Sequence, residues 1–451
     1  MTPASPAPSS PMAASIRFQY AVYMLPVHKR DPAIVLRQAL QEKYTNLKLV
    51  DEIPKEPPEM LLTAFGVQDV QHNYAPPTVE SLQFFGRGIS QKQMQALQKT
   101  KEVLILDFAH PKNKVWDALH AADGLVEDIA RKTGGLVWDE DTREVFSPDA
   151  WHAKRLQSWD SNVPDISTQT MIQSYRKGES NRAITRGMAK AGLPDVIVRD
   201  FPETYGNSVG GLINLFCQSM AEGARFDNPG TFKLDLRAIQ NTKVRDSRMA
   251  SLKSNATALA CLSLKPGVPE EGNPDNRLVE LTPDKYPGPD TPAKQQQMLG
   301  SFYGWEDSII PVEDDEESLA ASRKAREKLP ELRQAFSKGL QPGELIQVQA
   351  PFATPDGDSE GMWVEVTSWK GNKIKGLLQN APFNVPTLHP GQMVEVREED
   401  VYDYLHKYPD NHTEGNTTSE ILSRKQKEKD GNTGVASPNV NSPQQTVPAC
   451  D

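Results

Sequence analysis

Between Met362 and Leu378 the side chains alternate with a period of two. Met362, Val364 and Val366 fall on one side, and Trp363, Glu365 and Thr367 on the other. A β-branched and aromatic run with that period is a strand with one face buried. The pair Gly371-Asn372 tolerates positive φ and makes a turn, after which Ile374, Gly376 and Leu378 begin a return strand. Two further short runs, Leu345–Gln349 and Met393–Val396, each follow a Pro-Gly pair. Four or five short strands punctuated by Gly and Pro predict a small, strongly curled module over 341–411, an SH3-like β-barrel.

Four blocks in this stretch occur in a specific order: Met362-Trp-Val-Glu-Val-Thr, Gly376-Leu-Leu-Gln-Asn-Ala-Pro-Phe, Leu388-His-Pro-Gly-Gln-Met-Val-Glu-Val and Asp400-Val-Tyr-Asp-Tyr. With them the stretch resembles the bacterial family called domain of unknown function 2314. Trp138-Asp-Glu-Asp-Thr-Arg-Glu-Val-Phe, Gly192-Leu-Pro-Asp-Val-Ile-Val and Gly304-Trp-Glu-Asp-Ser extend the likeness to multi-domain bacterial proteins that carry this module at their C-terminus. The resemblance implies a fold and a bacterial origin. It assigns no activity and no catalytic residue.

At 451 residues the chain has room for about three domains. Its net charge of −10 argues against general affinity for nucleic acid or anionic membranes. Cys217, Cys261 and Cys450 are odd in number, widely spaced and form no CxxC, so neither a disulfide framework nor a zinc knuckle is indicated. A reducing, cytoplasmic compartment fits that usage. The first fifteen residues, rich in Pro, Ala and Ser, lack a basic n-region and an apolar core, and read as a disordered leader rather than a secretory signal. No apolar run reaches the ~18 residues of a membrane span.

In order along the chain, residues 16–146 alternate strands and helices in a way that predicts an α+β sandwich, ferredoxin-like in plan. Asp31-Pro32 opens its first helix as cap and N1 residue. Residues 147–312 predict a middle α+β domain, with helices over Asn181–Ala191 and Gly210–Glu222 and a proline-rich coil over Pro266–Pro292. A connecting helix follows over 313–340, acidic first (from Glu313) and basic later (Arg323 to Lys328), which suits the helix dipole. Beyond 412 the composition is that of a disordered tail.

Candidate chemistry is sparse. Gly206, Ser208, Gly210 and Gly211 precede an apolar helix, and such a turn offers backbone N–H groups to an anion, with Arg182 and Arg186 as possible partners. No Gly-Lys-Ser/Thr follows, so the turn is no P-loop, and a tight turn that lets a buried helix dock explains it equally well. Arg182, Arg186 and Lys190 recur at i, i+4 and i+8, as a basic stripe on a helix would. Asp139-Glu140-Asp141 is a turn of acids, expected to be solvated and useful for acid–base work only if burial splits their pKa values. Cys217 sits in an apolar helix as a small hydrophobe, and the eight histidines form no metal-binding motif. In the C-terminal module, Trp363 and Phe383 are expected in the core, while Trp369, Tyr402 and Tyr404 serve either the core or a partner-binding face.

Two functional expectations follow. The first is a non-catalytic, cytoplasmic binding protein that meets a protein or peptide through its C-terminal barrel at Trp369, Tyr402 and Tyr404. The second is an enzyme acting on a phosphate-bearing or other anionic small molecule at Gly206–Gly211, with Arg182 and Arg186. No catalytic residue, metal or cofactor is predicted.

Overall fold

The computed structural model describes residues 11–26, 30–159, 162–304, 316–421, 424 and 448–450, apart from 179, 227–229, 254, 342, 356, 358, 381, 383–384, 386, 389, 410–411 and 419. Residues 1–10 of the expected leader, Phe383, the acids after Trp305 and most of the expected tail lie outside these residues, whereas residues 11–15 of that leader are ordered: Ala13 N–H donates to Gly192 O and Ser15 opens the first strand.

The first sheet contains β1 (Ser15–Met24), β2 (Lys48–Leu49), β3 (Leu61–Gln68), β4 (Gly86–Arg87), β5 (Glu102–Pro111), β6 (Leu136–Asp139) and β7 (Glu144–Phe146). Its order is β2-β3-β5-β1-β6-β7-β4. The central pairs β3–β5, β5–β1 and β1–β6 are all antiparallel. Strand β1 is buried on both faces: Phe18, Tyr20, Val22 and Met24 enter one apolar cluster, and Ala21 and Tyr23 another. The helices Pro32–Glu42 and Val115–Thr133 cover the first face, and the short helices Val79–Phe85 and Gln91–Leu97 contribute to the second cluster. Asp31 caps the first of these helices through Ala33 and Ile34 N–H, with Pro32 at N1.

The second sheet contains β8 (Met171–Lys177), β9 (Ser180–Arg186), β10 (Asp195–Phe201), β11 (Thr231–Asp235), β12 (Leu259–Pro266) and β13 (Leu278–Thr282), in the order β11-β12-β13-β10-β9-β8. Ala183, Val196 and Val198 face the helix Gly206–Ala221 in the same apolar cluster that fills the first sheet, so the two sheets share one core. The expected helix Asn181–Ala191 is instead strand β9 followed by one 3-10 turn, Met188–Ala191. Gly187 at φ 102 breaks the segment in two, and β9 is hydrogen-bonded on both sides, to β8 and β10. That ladder outweighs a spacing that also suits a helix. The bond Cys261–Cys450 spans 189 residues of sequence, contrary to the expectation of unpaired cysteines.

The third sheet contains β14 (Leu345–Ala353), β15 (Ser359–Lys370), β16 (Lys373–Leu378), β17 (Met393–Arg397), β18 (Asp403–Lys407) and β19 (Thr413–Gly415), in the order β17-β16-β15-β14-β18-β19. The alternation read at Met362–Thr367 holds: Met362, Val364 and Val366 are in the core. The expected barrel is not closed, because β17 and β19 end the sheet without pairing among the described residues. The helix Glu316–Lys338 lays Ala325, Leu329 and Leu332 on the apolar face, which shelters it without curling the sheet shut. The sheet also runs past 411, where the tail was expected: β19 pairs with β18, and Thr418 and Ile421 are buried. No helix among the described residues is long and apolar enough to cross a membrane.

Candidate functional site

Three places bring chemistry-bearing side chains together. The first lies where the first sheet meets the second. Asp139 at the end of β6, Glu144 in β7, Arg155 on a single π-helical turn (His152–Leu156) and Lys190 on the turn after β9 have fully buried side chains. Arg155 Nη2 donates to Asp139 Oδ2 (2.7 Å), Thr142 Oγ1 (3.1 Å) and Glu144 Oε2 (3.3 Å), and Arg155 Nη1 donates to Thr168 O. Lys190 Nζ donates to the same Asp139 oxygen at 2.5 Å. Burial works to raise the Asp139 carboxyl, but Lys190 and Arg155 outweigh it and hold it below the usual range. Burial pushes Asp141 above that range against the pull of Lys190. The acidic turn is therefore not a solvated one, and its two aspartates are separated because the cations overcome burial at Asp139 and not at Asp141.

Beside this group, Tyr20 OH donates to Asp123 Oδ1 (2.9 Å), while Asp123 Oδ2 is buried without a hydrogen-bond partner. Burial drives the Asp123 carboxyl up to about 7, in spite of Lys190 and Arg155. The arrangement is an ionic core between two sheets, closed to solvent.

The second place is the face of the second sheet turned away from the helix Gly206–Ala221. Tyr175 opposes Arg182 across β8 and β9, and Ile184 opposes Ile197 across β9 and β10. Period-two alternation puts Lys177, Arg186 and Arg199 on this face too. Lys177 Nζ and Arg199 Nη1 reach Glu270 Oε1 at 2.9 and 2.6 Å, and Tyr175 OH donates to Glu270 Oε2 at 3.3 Å. Hydrogen bonds from Lys177 and Arg199 hold the Glu270 carboxyl at about 2. Arg182, almost fully buried, bonds Tyr175 OH and Asn273 Oδ1, and Arg186 bonds Gln173 Oε1 and Gly272 O.

Gly206, Ser208, Gly210 and Gly211 are the opening turn and a half of the helix Gly206–Ala221, not a loop before it. A Cβ on Gly211 would stand 2.6 Å from Tyr303 Oη, and Tyr303 OH itself donates to Ser208 O. The helix packs on the Ala183 side of β9, whereas Arg182 and Arg186 lie on the other side, so the sheet separates the two halves of that expected site.

The third place is the C-terminal module. Trp369 and Tyr404 belong to its apolar core; Trp369 Nε1 donates to Glu398 Oε2 (2.7 Å) and Tyr404 OH to Glu414 Oε1 (3.1 Å). Tyr402 is half-buried over Gly361, which has no side chain to obstruct it. Trp363, also half-buried, is on the face opposite the core, which turns toward the second sheet. There Arg176 pairs with Glu365, Lys407 Nζ with Glu203 Oε1 (3.2 Å), and Thr204 OH donates to Gln379 O (3.0 Å).

The ionic core was missed because its members are spread from Tyr20 to Lys190, and nothing local marks them. The one available signal was the acidic turn following the apolar run Leu136–Trp138 in the hairpin Leu136–Phe146.

Among comparisons with known proteins, residues 315–433 match the family model described as an uncharacterized protein conserved in bacteria (DUF2314). The match covers the helix Glu316–Lys338 and the third sheet, the same stretch whose sequence blocks carry the resemblance. Comparison with curated proteins and with solved structures gives no match. Among the described residues, no group of three or more His, Cys, Asp or Glu is arranged to hold a metal ion.

Proposed function

We propose that the chain is a non-catalytic binding protein whose C-terminal module meets a protein or peptide partner. The observation that carries this reading is the separateness of that module. It buries its own apolar cluster, from Ala325 to Tyr404, and adjoins the second sheet through polar pairs, whereas the first and second sheets are fused by a common core. A unit with its own core and a polar seam is suited to presenting a surface. Its edge strand β17 exposes Met393, and an edge of this kind accepts a partner strand. The titratable groups best placed for acid–base work are sealed between the sheets, where they hold structure instead. The order β3-β5-β1-β6 with its two connecting helices supports a ferredoxin-like plan for the base on which the module sits. The Cys261–Cys450 bond fits a non-reducing compartment better than the cytoplasm.

The test is capture of partners by the full chain and by a chain ending after Leu340, with bound proteins identified by mass spectrometry. A partner held by the first and lost by the second supports the reading. A partner held equally by both places recognition on the two-sheet base and overturns it.

A further inference from the structure

We propose that the face of the second sheet bearing Tyr175, Lys177, Arg182, Arg186 and Arg199 is a binding site for an acidic peptide segment of a partner protein. In this structure the chain's own strap, residues 267–277, fills it. The inference is independent of the C-terminal module and rests on three observations.

The first is what the strap covers. The opposite face of the sheet is packed on a helix, but among the described residues no helix lies behind the centre of this one. Ile184 and Ile197 are 1% and 0% exposed, yet neither belongs to any of the apolar clusters. A Cβ on Gly267, where the strap begins, would stand 3.0 Å from Ile197 Cδ1. Beneath the strap lies an apolar floor rimmed by four cations and a phenol.

The second observation is how the strap is held. Lys177 and Arg199 take the Glu270 carboxylate, Arg199 Nη2 donates to Val268 O (3.1 Å), Arg182 Nη2 donates to Asn273 Oδ1 (2.8 Å), and Arg186 donates to Gly272 O. These are contacts to one carboxylate, one side-chain amide and two backbone carbonyls, Val268 O and Gly272 O, and a bound acidic peptide offers the same kinds of acceptor. The strap's apolar residue does not anchor it: Val268 is 62% exposed. The segment is the loop between β12 and β13, turned at Glu270–Asn273 where Asn273 N–H donates to Glu270 O and Gly272 takes φ 78, and Pro269 and Pro274 fix φ on either side of that turn.

The third observation is an incomplete fit. Arg182 Nε, sealed from water, has no hydrogen-bond acceptor, and the nearest Glu270 oxygen is 3.6 Å away. A buried guanidinium N–H left without an acceptor is a donor that a better-placed carboxylate would satisfy. A strap covalently tied to its site competes at an effective concentration of the order of millimolar, so an external peptide needs the strap loosened or must fit better.

The test uses the full chain and a fluorescent peptide copying residues 267–276, read by anisotropy. Glu270→Gln with Asn273→Ala weakens the strap and should bind the peptide at least tenfold more tightly than the unaltered chain. Adding Lys177→Gln and Arg199→Gln should abolish that gain, as should a peptide whose two glutamates are replaced by glutamine. Equal affinity of the unaltered and strap-weakened chains, with unchanged circular dichroism, overturns the proposal; so does equal binding of the glutamine peptide. Should the strap variant misfold, hydrogen exchange on the unaltered chain decides. Excess acidic peptide should speed exchange across 267–277, and unchanged exchange there overturns displacement.

Discussion

Arg155 donates to Asp139 at 2.7 Å with neither side chain exposed, and Lys190 closes on the same carboxylate oxygen at 2.5 Å. The two cations come from opposite sides of the joint between the first and second sheets, so one aspartate ties both. Removing a single member leaves an uncompensated buried charge, which costs roughly 3–5 kcal/mol. Arg155→Met should lower the unfolding free energy by that amount in urea titration. In a double-mutant cycle with Asp139→Asn, the two losses should be far from additive.

The same joint sets a pH dependence. Asp123 carries a folded pKa near 7, raised by burial from an ordinary carboxylate value. The native state therefore keeps a proton that the unfolded chain has lost, and stability from this group falls as pH rises through 7. Between pH 5.5 and 8 the decline from Asp123 is about 2 kcal/mol. Asp141, raised by burial to about 7, and Asp195, raised by burial to about 6, add in the same direction. Asp139, held low by Lys190 and Arg155, and Glu144, held low by Arg155 and Lys154, act oppositely and lose stability only as pH falls below about 4. Asp123→Asn should remove about 2 kcal/mol of the decline above pH 5.5 in denaturation measured across that range, leaving the part due to Asp141 and Asp195.

Gly210 and Gly211 should respond in opposite ways to alanine. A Cβ at Gly210 meets Ile172 Cδ1 at 3.8 Å, an ordinary contact, so Gly210→Ala should stabilise by up to about 1 kcal/mol through helix propensity. At Gly211 the new methyl meets Tyr303 Oη at 2.6 Å, and Gly211→Ala should destabilise by about 1–3 kcal/mol. Thermal melts of the two variants check the contrast.

Trp369 is a core residue of the third sheet, and Trp369→Ala should cost about 3–5 kcal/mol. Tyr404→Phe removes one bond to the exposed-side Glu414 and should cost no more than about 1.5 kcal/mol. Partial unfolding followed by fluorescence and by hydrogen exchange in 345–415 separates the two.

The bond between Cys261 and Cys450 leaves Cys217 as the single free thiol, fully buried, with burial pushing its pKa well up. Alkylation of the native chain without reductant should label no cysteine rapidly. After reduction Cys450 should label first, and loss of the cross-link should lower stability by up to about 5 kcal/mol in the chain-entropy account.

The alternation at Met362–Thr367, the Asp31-Pro32 helix start and the apolar helix before Ala221 were all legible in the sequence, because each depends on neighbours within one element. The segment 181–191 was misread for the complementary reason. Its i, i+4 spacing suits a helix, and only the hydrogen-bonded ladders to β8 and β10 made it a strand. Arg182 and Lys190, grouped by that spacing, ended in different places, one under the strap and one in the ionic core.

The sequence by itself determined that the chain is mixed α and β, that its last quarter is a strand-rich module, and which faces of those strands are apolar. These follow from side-chain period and turn chemistry, which are local. The tertiary structure alone decided that the third sheet stays open under a helix, that Asp139 is buried between Arg155 and Lys190, and that Glu270 closes over a face of cations. Each of these joins residues tens to hundreds of positions apart. The energies involved, desolvation and charge pairing, depend on the surroundings that distant segments create.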